Sequence, residues 1–270
     1  MTFHQIKTVQ DVEVHEFGYS PISKPTFTVF NYFLDGLLID TAMHRCKDRF
    51  LKVFESKRIE QVTLTHHHED HAGNLRAIVQ QQKPKQVHLG LETAELLKKK
   101  LNLLPYEQYL FGNIEPYNDG FQMLRDEIKT EKYTLTPIYT PGHSIDHHVF
   151  LEKKQGWLFS GDLWVGIKIK YFRKGEDFWQ QVAALKQVLA FDFEILFCGH
   201  HPNFKNGKDL VQEKLDYFED FGGQVRHHFS NGLNISEIIQ KMKLKEQYLA
   251  RILTQNDVSL RLMIESALKQ

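Results

Sequence analysis

The chain has 270 residues, enough for one substantial core with a small appendage, and its 34 Lys+Arg offset 34 Asp+Glu to a formal net charge of zero, which argues against a nucleic-acid or membrane-surface protein. The amino terminus, Met1-Thr2-Phe3-His4-Gln5-Ile6-Lys7, lacks the basic-then-apolar pattern of a signal peptide, and no apolar run is long enough to span a bilayer. Two distant cysteines, Cys46 and Cys198, exclude a disulfide framework and fit a reducing compartment, so the expectation is a soluble, cytoplasmic protein.

Aromatic and β-branched residues over 26–34, the hairpin signal Asp35-Gly36 and a resumed strand over 37–40 predict that antiparallel sheet opens the chain. A helical face follows over 49–56 (Phe50, Leu51, Val53, Phe54), then a strand over 61–64 and a helix from about Gly73 to Gln82, stopped by Pro84. A strand over 86–89 and a helix over 92–99 come next. Residues 104–118 hold Pro105, Tyr106, Tyr109, Phe111, Pro116 and Tyr117 without periodicity, the composition of an aromatic lid or of ordinary surface packing. Strands are expected over 133–139, 148–152, 157–159 and 194–198, with a helix over 178–189. From Gly207 the pattern is helical only: Leu210, Val211, Leu215, Phe218 and Phe221 share one face, Ser236 is the expected cap of a helix over 237–242, and Asp257 or Ser259 begins a last helix to Leu268. The division expected is 1–206 for an α/β unit and 207–270 for a helical extension.

Nine of the fifteen histidines cluster at three places, over 66–71, 143–148 and 200–201. Thr65-His66-His67-His68-Glu69-Asp70-His71 sets His66, His68, Asp70 and His71 within six residues at the end of a strand, and imidazole and carboxylate are ligands that Zn²⁺ accepts. A His-rich surface turn is the bland alternative. The small residues Ala72-Gly73-Asn74, then Leu75, Ile78 and Val79 at helical spacing, supply instead a strand–turn–helix context. Thr140-Pro141-Gly142-His143-Ser144, Phe159-Ser160-Gly161-Asp162 and Cys198-Gly199-His200 also follow strands, where a layered α/β protein converges its loops on one edge.

In these residues, their order and their spacing, over about residues 20–205, the chain resembles the metallo-β-lactamase superfamily of hydrolases, in particular its glyoxalase-II-like and lactonase-like branch. The resemblance implies a four-layer αββα sandwich with a dinuclear centre at one edge and, here, a small all-helical carboxy-terminal extension. It implies that His66, His68 and His143 bind one metal, that Asp70, His71 and His200 bind the other, and that Asp162 bridges them. His67 and Glu69 occupy variable positions of the motif. Flavodiiron-type relatives carry Glu where this chain has His68, so the intact His66/His68 pair favours zinc hydrolysis over diiron redox chemistry. Asp40 resembles a position that supports the site by hydrogen bonding. Cys198 is expected as a small buried strand residue, and His147, His148 and His201 either as donors that support the ligands from behind or, the preferred reading, as plain strand and loop residues.

The cofactor expected is two Zn²⁺, with Fe or Mn as alternatives, and the nucleophile a hydroxide between the metals, formed from a water that Asp70 orients and whose proton it accepts. Two dications against Asp70, Asp162 and one hydroxide leave a positive site that favours anionic substrates. Lys168, Lys170, Tyr171 and Arg173 follow Asp162 as candidate contacts to a carboxylate, phosphate or thiol-cofactor tail; a solvent-facing strand with alternating lysines is the competing reading. The reaction expected is cleavage of an ester-type bond, thioester or lactone, in a small molecule. A mononuclear-iron sulfur dioxygenase and a phosphodiesterase or nuclease of the same superfamily are the alternatives, and the helical extension is open to a role in closure, substrate contact or a homodimer.

Overall fold

Large apolar side chains alternate between two buried faces through the middle of the chain, and the result is a pair of sheets stacked face to face. The computed structural model describes residues 1–20, 25, 27–125 and 127–269. Its first sheet takes seven strands in chain order: β1 (Thr2–Val9), β2 (Val12–Tyr19), β3 (Thr28–Leu34), β4 (Leu37–Ile39), β5 (Gln61–Thr63), β6 (Gln86–Leu89) and β7 (Gln122–Met123). The pairs from β1 to β4 are antiparallel and those from β4 to β7 parallel. Asp35 and Gly36, with φ of 46° and 81°, make the β3–β4 turn, the conformation a two-residue type I′ loop requires. The strand expected over 26–34 begins at Thr28, and Thr26 lies outside the described residues.

The second sheet collects β8 (Ile128–Lys129), β9 (Thr134–Tyr139), β10 (His148–Glu152) and β11 (Trp157–Gly161); the two-residue β12 (Phe172–Arg173) stays outside it, and β13 (Ile195–Cys198) returns parallel to β11. Side-chain alternation assigns the faces. On β10 and β11, Phe150, Trp157 and Phe159 point toward the first sheet, while Val149, Leu151 and Leu158 point away from it. Between the sheets, Phe150, Trp157, Phe159 and Phe197 meet Val12, Val14, Tyr32, Leu34, Leu37 and Ile39, and the Phe159 and Phe197 rings stack at 4.7 Å.

Helices cover both outer faces. On the first sheet lie α1 (Lys47–Phe54), α2 (Leu75–Gln82) and α3 (Leu91–Leu97), followed by the short α4 (Pro105–Leu110). On the second lie α5 (Phe178–Leu189) and α6 (Gly207–Ser230), then α7 (Ile235–Lys241), α8 (Tyr248–Leu253) and α9 (Leu260–Leu268). The architecture is thus the αββα sandwich. Val211, Leu215, Phe218, Phe221 and Val225 form the buried face of α6 and share one core with α5 and α9.

Three local expectations are corrected. Residues 104–118 contain a helix, because Pro105 pre-sets φ at its first position and the Glu107 carboxylate accepts from Leu104 N at 2.6 Å. Helix α7 is capped by Asn234, not Ser236: Asn234 Oδ1 accepts from Glu237 N, and Glu237 Oε2 accepts from Asn234 N, a reciprocal box that places Ser236 inside the first turn. The extension is not helical throughout, since a strand, β14 (Val258–Ser259), pairs antiparallel with β12 and carries the chain back over the loop after Asp162. Ser259 then caps α9 through Leu262 N. Among the described residues no helix is long and apolar enough to cross a membrane.

Candidate metal centre

Strand ends bring His66, His68, Asp70, His71, His143, Asp162 and His200 to one edge of the sandwich. The turn after β5 supplies the first four; the turn between β9 and β10 supplies His143, the end of β11 supplies Asp162 and the end of β13 supplies His200. Ligand atoms of His66, His68 and His143 lie within 4.8 Å of one another, as do those of Asp70, His71 and His200. Asp162 stands between the two groups: Oδ1 is 3.3 Å from His71 Nε2, and Oδ2 is 3.4 Å from His143 Nε2 and 3.3 Å from His200 Nε2.

Hydrogen bonds behind the site set which nitrogens face it. Asp40 accepts from Thr65 N at 2.7 Å and from His71 Nδ1 at 2.9 Å. The Thr65 hydroxyl donates to Asp40 Oδ2 and lies 3.0 Å from His66 Nδ1, which donates to it. His200 Nδ1 donates to Thr28 O at 2.8 Å. Each arrangement protonates Nδ1 and leaves Nε2 with a free lone pair aimed inward. His66 Nε2, His71 Nε2 and Asp162 Oδ1 are buried without a hydrogen-bond partner among the described residues, a costly condition unless a cation completes them. The orphaned acceptors and the all-nitrogen-and-oxygen donor set fit a pair of borderline metal ions.

Electrostatics carry the same signature. Burial, then the neighbouring imidazoles, hold His66 and His68 well below the usual histidine range. Burial also opposes charge on His71 and His200, yet Asp162 and Asp70 beside both, with Asp40 beside His71, raise them well above it. Asp162 is depressed despite its burial by His200 and His71. The carboxylates thus favour positive charge at this edge, the charge that a pair of metal cations would supply.

Close packing explains two glycines here. Gly161 has φ of +47°, and a Cβ on it would meet His147 Nε2 at 2.7 Å; a Cβ on Gly199 would meet Asp162 Oδ1 at 2.5 Å.

Residues behind the donors support the site, and for His147 the less favoured of the two readings holds. His147 is fully buried, and its Nε2 accepts from Asp162 N at 3.0 Å while Nδ1 donates to Thr140 Oγ1 at 2.9 Å, so it is no plain strand residue. Burial pushes its pKa down to about 3, which keeps it neutral and able to accept. Asp146 accepts from His67 N and His67 Nδ1, both at 2.8 Å, and thereby pins the turn that carries His66, His68, Asp70 and His71. The run Asp146-His147-His148 was the only visible signal. His148 donates through Nδ1 to Asp146 O, and His201 is exposed. Cys198 is a buried strand residue, as expected.

A cavity of about 660 Å³ opens on the donors, with Phe27, Phe111, Val165, Ile169 and Val258 among its walls. Lys168, Lys170 and Tyr171 also line it, exposed, on irregular backbone. Arg173 lines it too, but its guanidinium is paired: Nη1 and Nη2 bind the Glu69 carboxylate at 3.1 and 3.0 Å, Nε reaches Asp257 Oδ2 at 3.3 Å, and Nη2 also bonds Glu107. Glu69, which follows His68, and Glu107 are almost fully buried. Arg173 therefore ties the turn that carries the candidate donors to α4 and to the segment before β14, a role different from the free anion contact expected of it.

Fold and donor set define the class, an αββα sandwich with a metal-binding edge built from histidine and aspartate. The chain belongs to the metallo-beta-lactamase superfamily, whose family model matches residues 31–200. It is 27% identical over 199 residues to a beta-lactamase-like protein 2 homolog from Caenorhabditis elegans, covering 72% of this chain and 59% of that protein. It is 28% identical over 187 residues to an atrochrysone carboxyl ACP thioesterase from Aspergillus fumigatus, covering 67% of this chain and 52% of that one. The chain thus spans about half the length of these curated relatives. A metallo-beta-lactamase family protein from Thermus thermophilus shares the fold with a TM-score of 0.66 at 16% identity, over 96% of this chain and 91% of that one.

Proposed function

We propose that this chain is a zinc-dependent hydrolase that cleaves an ester-type bond, a thioester first and a lactone second. The observation that carries the reading is the convergence of seven nitrogen and oxygen donors, three of their atoms buried and unpartnered among the described residues, at a cavity that five of the seven residues line. The likeness to a thioesterase supports the choice of bond.

His66, His68 and His143 would hold one metal and Asp70, His71 and His200 the other, with Asp162 between them. Lewis acidity is the chemistry such metals supply when bound: it lowers the pKa of water to around 7 and polarises a carbonyl. The protein's own contribution is orientation and proton handling. Asp40 and the Thr28 carbonyl fix the tautomers of His71 and His200, and His147 holds the backbone that carries Asp162. Asp70, at the cavity surface, takes the proton from water on a carboxylate oxygen and returns it to the leaving thiolate or alkoxide. Apolar walls receive the acyl portion and exclude bulk water.

The test is a panel of thioesters, lactones, phosphodiesters and β-lactams offered to protein loaded separately with zinc, iron or manganese. Thioester or lactone turnover with zinc, lost together with bound metal in His68→Ala, is the expected result. Hydrolysis that survives His68→Ala, or oxygen uptake with iron and a persulfide in place of hydrolysis, would overturn the proposal.

A further inference from the structure

Helix α6 presents a buried apolar face to the second sheet, and Lys214 lies in the middle of it, between Val211, Leu215 and Phe218. It is only 1% exposed. Nζ donates to the Leu163 carbonyl at 2.7 Å and stands 5.2 Å from the Phe218 ring. Among the described residues no carboxylate comes within ion-pair distance of it; nearby Glu176 instead accepts from Gln181 Nε2 at 2.7 Å. Arg173, by contrast, is matched by three carboxylates. A buried ammonium without a counter-ion is costly, and an apolar side chain would fill this position at lower cost. Of its three N–H donors, one has a partner among the described residues. Lys214 also lines the cavity that holds the metal donors, and Leu163, which anchors it, follows Asp162 directly.

We propose that Lys214 binds an acidic group of the substrate, so that the molecule hydrolysed carries a carboxylate besides the bond that is cleaved. The reading of the bond rests on the hydrolase proposal above; the reading of Lys214 as an anion receptor does not. Burial pushes the Lys214 pKa down to about 8 while Glu176, Cys198 and Asp162 raise it, which leaves the ammonium form predominant at pH 7. Exposed Lys168 and Lys170 at the same cavity would draw anions toward it.

Two probe pairs test this on the zinc-loaded full chain. Calorimetry compares glutarate with monomethyl glutarate, and kinetics compares the N-acetylcysteamine thioesters of glutaric acid and of its methyl ester. The wild type should prefer the member of each pair with the additional carboxylate by about tenfold or more, and Lys214→Met should bring both ratios close to one while retaining bound zinc. Equal binding of the pair by the wild type overturns the proposal without any variant. A ratio that Lys214→Met leaves unchanged, or zinc loss in that variant, assigns Lys214 to structure and also overturns it. Glutarate preference without turnover of any thioester would uphold the anion site and sink the thioesterase reading instead.

Discussion

Asp40 shows how much of the centre depends on one residue that contacts no substrate. It sits at φ of 62°, a conformation that Asp tolerates better than most side chains, and this places its carboxylate on Thr65 and His71 at once. Asp40→Asn should reduce metal affinity by about 10–100-fold, measured by competition with a chromogenic chelator; unchanged affinity would remove Asp40 from the site. Asp146 offers a pH test. Its pKa is held at about 2, against an ordinary value of 3.8, by bonds from His67, Ser144 and Thr93 that outweigh its burial. A carboxyl depressed in the folded state stabilises above its unfolded pKa and loses that contribution as pH falls toward the folded one. At one pKa unit per 1.36 kcal/mol, Asp146→Asn should cost about 2 kcal/mol at pH 7, and the deficit should shrink between pH 4 and pH 2 in denaturant titrations.

At the scale of elements, Arg173 is the joint on which the cavity wall turns. Removing it leaves Glu69 and Glu107 buried without their cation, and breaking a buried pair in this way costs about 3–5 kcal/mol. Arg173→Ala should therefore lower stability by that amount in chemical denaturation, and adding Glu69→Gln and Glu107→Gln should recover part of it. Arg173→Lys should rescue incompletely, because an ammonium cannot reproduce the bidentate contact to Glu69. Strands and helices with strong periodicity were legible: β3 to β6, β9 to β11, α5 and α6 all lie near their expected places. The opening strands β1 and β2 and the short α4 were not. The residues of β1 are largely exposed, so no alternation marked it, and α4 depends on a proline start and the buried Glu107, which composition alone reads as loop. The candidate donors stood out as a group because four of them are local in sequence. Asp146 and Lys214 did not, and His147 was open between two readings, since their roles depend on what tertiary packing sets beside them.

At the scale of the whole molecule, three cores hold two sheets and two helical layers rigid, and the donors sit where strand ends from both sheets meet. Residues from β5, β9, β11 and β13 converge only in the folded chain, so metal binding and folding are linked. Metal that binds the native state alone stabilises it by mass action, by about 2.7 kcal/mol at a free concentration 100 times Kd. Stripping metal with a chelator should lower Tm, and restoring zinc should recover it. The central claim is the paired donor set, and elemental analysis of the purified, zinc-equilibrated protein tests it most directly. The account predicts two zinc equivalents per chain, falling in both His68→Ala and His200→Ala. A stoichiometry of one or none at saturating zinc, or two equivalents undiminished by either substitution, would contradict it.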